Sequence, residues 1–402
     1  MKVLQINISV NTGSTGRIAS LIGELLIKKD HDSYIIYGRE TRSCNSVQIK
    51  IGSQLDQVGH ILKTRLFDLH GFGSARPTRK LVKEVERINP DIIHLHNIHG
   101  YYLHIGILFD YLKRTGRPVV WTLHDCWPFT GHCSHFQRIN CIKWKAECFK
   151  CPNTHGYPAS WLMDNSRKNF HRKRKFFNGL KKMTIVSPSI WLADQLKESF
   201  LSDYKIKVIN NGVNLEKFYI VDSMSLRSKY NLGEKYILGI ANKLTKRKGF
   251  GDFIELRKIL DPGIQIVLAG LEVNQLQNIP NGIKGIPRIE NTEELAMLYS
   301  GAKALVNPTY VDNFPSVNLE SLSCGTPVIT YNTGGSPEAI DANTGVVVEK
   351  GDIKELANGI IKILQSEYKY SKVQCRARAE KFYSSDDRYS DYLRLYQEIL
   401  NS

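Results

Sequence analysis

The chain has 402 residues, 42% hydrophobic and 23% charged, with 55 Lys plus Arg against 39 Asp plus Glu for a net charge of +16. That is the composition of an ordinary globular protein with room for two or three domains, and no run approaches the ~20 apolar residues of a membrane span. The positive balance points to one of three partners: anionic lipid, nucleic acid or a phosphorylated substrate.

Met1-Lys2-Val3-Leu4-Gln5-Ile6-Asn7-Ile8 alternates and then meets Asn and Gly, so it reads as a first strand and not as the unbroken apolar core of a signal peptide; a cytoplasmic protein is expected. Further apolar runs predict strands at 33–37, 92–95, 119–123, 184–187 and 207–209. In the second half they fall at 236–241, 265–269, 304–307, 328–331 and 345–348. Amphipathic segments lie between most of them. Short apolar strands alternating with helices signal parallel sheets covered on both faces. Eleven strands are too many for one ordinary sheet, so two doubly wound α/β domains are expected, divided near Asn210-Asn211-Gly212-Val213 or within 220–231. The stretch 370–400 reads as helical, with Tyr389, Tyr392, Leu393 and Tyr396 marking a buried stripe.

Doubly wound sheets bind ligands at the carboxyl ends of their strands, and the chemistry-bearing motifs fall there. Asn11-Thr12-Gly13-Ser14-Thr15-Gly16-Arg17-Ile18 follows the first strand, and its glycines allow backbone N–H groups to approach a phosphate. His94 and His96 share one strand face, as a metal pair would, although polar residues lining a cleft fit them better. Trp121-Thr122-Leu123-His124-Asp125 brings His124 to a strand tip, where it orients a sugar or is a structural histidine held by Asp125. Cys133, Cys141, Cys148 and Cys151 then follow a C-x7-C-x6-C-x2-C pattern in a loop poor in aliphatic residues, which predicts a closed structural zinc site without a position for substrate. The run 167–177 interleaves cations with Phe170, Phe176 and Phe177; it reads as a helix on an anionic membrane surface or as a solvated face with its aromatics in the core.

In the second half, Lys243, Lys246, Arg247 and Lys248 follow a strand and precede Gly249-Phe250, so Lys243 and Lys248 are expected to face a diphosphate. Asp312-Asn313-Phe314-Pro315-Ser316 and Glu320 put two carboxylates on either side of a turn that opens a helix, suited to holding hydroxyls at two separated points.

Together these motifs, with Ser187-Pro188-Ser189 and Gly334-Gly335-Ser336-Pro337-Glu338, resemble the retaining GT-B glycosyltransferases of family 4 over most of the chain. The cysteine-bearing insertion is similar to the subset acting in bacterial exopolysaccharide assembly. The resemblance implies a GT-B fold of two Rossmann-like domains facing across a cleft: 1–210 on the acceptor side, with the cysteine loop at 126–151; 211–384 binding the nucleotide sugar; and 385–402 as a helix returning to the first domain. It implies that Asp312 and the backbone of Asn313, Phe314 and Pro315 contact the donor sugar. Glu320 would hold the ribose, Lys243 and Lys248 the diphosphate, Gly16 would abut it, and His124 would lie against the transferred sugar. The donor would be a UDP- or GDP-sugar and the acceptor a growing, lipid-linked glycan, with no catalytic metal and no nucleic acid. Base contacts are expected from 285–289. Asp312 stands where the family usually has Glu, and Lys243 where Arg is common. A same-fold sugar-nucleotide epimerase or phosphorylase, a zinc-clipped nucleic-acid binder and a catalytically silent scaffold are the competing readings.

Overall fold

A computed structural model describes residues 1–241, 244–365 and 370–402. The chain divides into two compact units, one comprising Met1–Asn210 and Tyr389–Ser402, the other Asn211–Arg388. Among the described residues, no helix is long and apolar enough to cross a membrane.

The first unit holds seven strands: β1 (Lys2–Asn7), β2 (Asp32–Tyr37), β3 (Val47–Lys50), β4 (Ile92–Leu95), β5 (Val119–Thr122), β6 (Met183–Ser187) and β7 (Lys205–Val208). They form one sheet in the order β3-β2-β1-β4-β5-β6-β7, and every pairing is parallel. Central strands such as β4 are buried along their length, because helices cover both faces. One face packs Leu4, Ile6, Phe109 and Trp121. The other packs Val3, Ile18 and Ile22 against Tyr389, Tyr392 and Tyr396 of the last helix. Tyr396 Oη lies 2.6 Å from His94 Nδ1, and Thr122 Oγ1 donates to Tyr392 Oη at 3.2 Å, so the terminal helix is bonded to the sheet as well as packed on it.

The second unit repeats the plan with β8 (Tyr236–Ile240), β9 (Gln265–Leu271), β10 (Ile283–Pro287), β11 (Ala304–Asn307), β12 (Val328–Tyr331) and β13 (Gly345–Val348), ordered β10-β9-β8-β11-β12-β13 and again parallel. In each sheet the winding reverses beside the unit's first strand, between β1 and β4 and between β8 and β11. Such switch points leave a crevice at the strands' carboxyl ends.

Two strands, β3 and β10, were not among the eleven expected, and the segment assigned to a base-contacting loop is partly strand β10. The basic run 167–177 lies in the helix Ser166–Phe177, with Phe170 and Phe177 buried and Phe176 partly so. Its aromatics therefore face the core.

Candidate active site

In the second unit the site is built on the switch between β8 and β11. Lys243 lies outside the described residues. A single 3-10 turn, Lys246–Lys248, precedes Gly249, whose φ of +78° favours glycine. A Cβ there would run into the carbonyl of Pro308, just past β11. The Tyr310 N–H also donates to Arg247 O at 2.9 Å. The cationic turn is thus seated on the loop after β11, and Lys248 Nζ forms an ion pair with the Asp312 carboxylate, the two side chains 21% and 19% exposed.

From Asp312 the chain turns into the helix Ser316–Ser323. Asp312 Oδ1 accepts the Asn313 N–H at 3.0 Å. The Phe314 ring is buried, 5.8 Å from that of Tyr383, and its carbonyl accepts Asn211 Nδ2 at 3.1 Å. Pro315 occupies the helix N-cap position. Buried Asn318 accepts from Asn307 Nδ2 at 2.8 Å and donates to Ser336 O at 3.1 Å, tying the helix to β11 and to the loop after β12. One turn into that helix, Glu320 Oε2 accepts the Tyr299 hydroxyl at 2.8 Å. Beneath the cationic turn, Asp252 accepts hydroxyls of Tyr310 at 3.2 Å and Tyr331 at 2.6 Å, while burial raises its pKa. Lys248, Asp312, Asn313, Phe314, Pro315 and Glu320 therefore share one strand-end region. Tyr299, Asn318 and Asp252, which hold it, carry no motif that sequence reading could have found.

In the first unit, Gly16 lies within the first turn of the helix Gly13–Lys28, and its carbonyl accepts the Asn11 N–H at 3.0 Å. A Cβ on Gly16 would press against Ser9 Oγ at 2.9 Å and Asn11 N at 3.2 Å. The N-cap residue Thr12 makes no side-chain cap bond, so this helix start lacks a side-chain cap for its N–H groups.

His124, after β5, stacks on His96 with ring centroids 5.5 Å apart, and its Nε2 lies 3.2 Å from His96 Nδ1. Burial pushes its pKa down to about 4, so the ring is neutral at pH 7. Asp125 does not hold His124. It bonds His99 Nε2 at 2.9 Å and accepts the Trp127 N–H at 2.9 Å; these contacts overcome burial and bring the carboxyl to about 2. The His94–His96 pair is engaged by Thr122, Tyr396 and Gln5, which leaves it as a hydrogen-bonded spine under His124 and not as a metal pair.

The structure does not support the expected zinc site. Cys133, Cys141, Cys148 and Cys151 do line one small cavity. Among the described residues, however, no group of three or more His, Cys, Asp or Glu is placed to hold a metal ion. Thiolates are the ligating form. The thiols are split: a hydrogen bond to Cys151, together with burial, holds Cys133 well above its ordinary range and burial pushes Cys148 up to about 11, whereas the bond with Cys133 brings Cys151 down to about 7. Nearby, His132 Nδ1 bonds the buried Asp68 carboxylate at 2.6 Å, and its Nε2 is buried without a hydrogen-bond partner. The loop builds its core from aromatics instead: Trp144 packs on Phe129 and Phe136 at 5.0 and 4.8 Å. Buried Lys173 Nζ donates to Trp127 O at 2.7 Å and Thr130 O at 3.0 Å while lying 3.6 Å from the Trp127 ring centroid. Rings and one buried lysine supply the packing that the loop's few aliphatic residues do not.

Comparison with known proteins adds to this geometry. The family described as Glycosyltransferase Family 4 matches residues 16–217, and that described as Glycosyl transferases group 1 matches residues 223–382. The chain is 24% identical over 426 aligned residues to WcaC of Escherichia coli K12, a glycosyl transferase named for colanic acid biosynthesis, covering 99% of this chain and 100% of that one. It is 27% identical to the capsular polysaccharide biosynthesis glycosyltransferase CapM of Staphylococcus aureus, over 54% of this chain and 63% of that one. Among solved structures, sucrose-phosphate synthase from Thermosynechococcus elongatus superposes with a TM-score of 0.74 at 18% identity, covering 100% of this chain and 99% of that one. Anabaena HepE in complex with UDP gives 0.69 at 14% identity, covering 99% and 100%.

Proposed function

Because the chain belongs to glycosyltransferase family 4 and has the GT-B fold, we propose that it transfers a sugar, with retention of anomeric configuration, from a nucleoside-diphosphate donor to a growing, lipid-linked glycan in bacterial polysaccharide assembly. The relatives named for colanic acid and capsule support the glycan acceptor, and HepE in complex with UDP supports the nucleotide donor. A cytoplasmic site of action fits that donor.

The observation that carries the reading is the Lys248–Asp312 pair at the switch between β8 and β11. In this pair each charge offsets the other. When a diphosphate arrives, Lys248 exchanges a carboxylate for phosphate oxygens, and Asp312 is released to accept sugar hydroxyls. Lys243 is assigned to the diphosphate as well, and in the first unit the helix start at Gly13–Gly16, without a side-chain cap, offers N–H groups suited to phosphate. Glu320, oriented by Tyr299, accepts the ribose hydroxyls. Neutral His124 donates to or accepts from the transferred sugar without adding charge.

The acceptor oxygen then bonds the anomeric carbon as its bond to the diphosphate oxygen breaks. The departing phosphate takes the acceptor's hydroxyl proton on the same face. Negative charge grows on the leaving group, so fixed cations stabilise the transition state more than the ground state. In this reading lysine ammonium groups take the part of a divalent cation, and the remainder of catalysis is positioning.

Thermal stabilisation across a panel of nucleoside diphosphates tests the donor class, since a ligand of the native state raises the melting temperature. The expected result is a shift with UDP or GDP; no shift with any of them overturns the reading. Product analysis by NMR then separates transfer with retention from epimerisation or inversion.

A further inference from the structure

The turn after β4 carries a cluster of rings that takes no part in holding the donor. Gly100 and Tyr101 have φ of +104° and +72°. The left-handed region is costly for a bulky residue, so the surrounding packing must hold Tyr101 there. Its ring lies 4.8 Å from that of His70, which lies 5.5 Å from that of His99. Trp127 packs on the two histidines at 5.4 and 4.9 Å, and all four side chains are buried.

His70 Nδ1, His99 Nδ1 and Tyr101 Oη are buried without a hydrogen-bond partner among the described residues. Such atoms are rare, because each forfeits the bonds it would make in water. Three of them on neighbouring rings mark a place where something else supplies those bonds. The opposite nitrogen of each imidazole shows what the unpaired one offers. His70 Nε2 accepts the Gly100 N–H at 3.2 Å and burial keeps that ring neutral, so its proton sits on Nδ1, a donor. His99 Nε2 lies 2.9 Å from Asp125 Oδ2, while Asp125 Oδ1 accepts the Trp127 N–H. In the neutral His99 ring the proton therefore faces the carboxylate, and Nδ1 is an acceptor. Tyr101 Oη serves as either. One donor, one acceptor and one hydroxyl suit a sugar hydroxyl better than an anion.

Tyr157 is the solvent-side member of the cluster. It is 48% exposed, with its ring 5.5 Å from that of His70, 6.1 Å from that of His99 and 6.2 Å from that of Tyr101. Exposed side chains change rotamer within nanoseconds, so its rotation gives access to the atoms beneath. Its ring also offers an apolar surface on which the C–H face of a pyranose packs.

We propose that His70, His99 and Tyr101 hold a hydroxyl of the acceptor's terminal sugar, that Tyr157 packs on its ring, and that Asp125 positions His99 by fixing its tautomer. The inference rests on the sugar-transfer reading for the identity of this ligand. Asp125 directly follows His124, the residue assigned to the transferred sugar, so an acceptor held here stands next to it in the first unit.

Saturation-transfer NMR at pH 8 on the full chain, with methyl glycosides of glucose, galactose, fucose and N-acetylglucosamine as probes, tests it. The parent should bind at least one of them. Binding should fall at least about fivefold in His99→Ala, Tyr157→Ala and Asp125→Asn. In Asp125→Asn the amide oxygen goes to the Trp127 N–H and the amide nitrogen to His99 Nε2, which moves the imidazole proton to Nδ1. Long-range 1H–15N spectra of histidine-labelled protein read that change, which a purely structural role for Asp125 does not require. Tyr157 is exposed, so Tyr157→Ala should stay folded; should a buried variant unfold, it and the parent's histidine spectra with and without glycoside decide. A parent that binds no glycoside overturns the proposal. So does binding that the substitutions leave unchanged, which assigns the three unpaired atoms to a buried water. The melting shift with UDP or GDP should persist in every variant. Its absence in the parent, with glycoside binding intact, sinks the donor reading and not this one.

Discussion

Tyr299 donates its hydroxyl to Glu320 Oε2 across 2.8 Å from a ring with no solvent exposure. The tyrosine lies on the helix Thr292–Gly301, and its own carbonyl accepts Thr326 Oγ1 at 2.7 Å, so backbone and ring are both fixed. Glu320 therefore has a preset orientation, which on the proposed ribose role would lower the entropic cost of binding a diol. Tyr299→Phe preserves the buried ring and removes the donor. It should weaken UDP binding about 3–10-fold, or roughly 0.7–1.4 kcal/mol. Calorimetry with UDP and 2′-deoxy-UDP checks the route: the parent should discriminate between them more strongly than the variant, and an unchanged ratio would refute action through the ribose.

Lys248 pairs with Asp312, and if it faces the leaving group as proposed, its removal should register mainly in turnover. Lys248→Ala is expected to cost on the order of 2–4 kcal/mol in kcat, because the lost charge opposes a diphosphate that becomes more negative as the bond breaks. Should kcat at saturating donor stay at the parent value, Lys248 does not face the leaving group.

Gly249 and Gly251 make a matched pair. Gly249 has φ +78° and no room for a Cβ beside Pro308 O, whereas Gly251, two residues on in the helix Phe250–Ile259, has nothing within 4 Å of a built Cβ. Gly249→Ala should destabilise by about 1–3 kcal/mol and lower activity by shifting the Lys248 turn. Gly251→Ala should be neutral or stabilise by up to roughly 1 kcal/mol. Chemical denaturation of both variants tests this directly, and equal effects would show that the seating on Pro308 is unimportant.

The same contrast explains what was legible in the sequence. Central strands such as β4 and β11 are apolar on both faces and declare themselves as runs. The missed strands β3 and β10 lie at sheet edges; one is only half-buried and the other carries Gly285 and Pro287, so neither forms an apolar run. Lys248, Asp312 and Glu320 were visible because they follow strand ends. Tyr299–Glu320 and His99–Asp125 are tertiary pairs 21 and 26 residues apart, for which no local periodicity exists. The cysteine spacing was visible too, but spacing alone could not show that rings build the core of that loop.

Lys173 makes that loop sensitive to pH. Burial lowers its pKa to about 7, against 10.5 for an ordinary lysine. Between those values the unfolded chain carries the proton and the folded chain does not, so stability rises with pH across the window. The penalty is largest below pH 7, where the folded protein must keep a buried ammonium, and it vanishes above about 10.5, where both states are neutral. Lys173→Met retains the stem over Trp127 and has no proton to lose. Urea unfolding at pH 7 and pH 9 should show the parent gaining on the variant by about 1–2 kcal/mol over that interval. Parallel stability profiles would mean that Lys173 keeps its charge through its two carbonyl acceptors and the Trp127 ring.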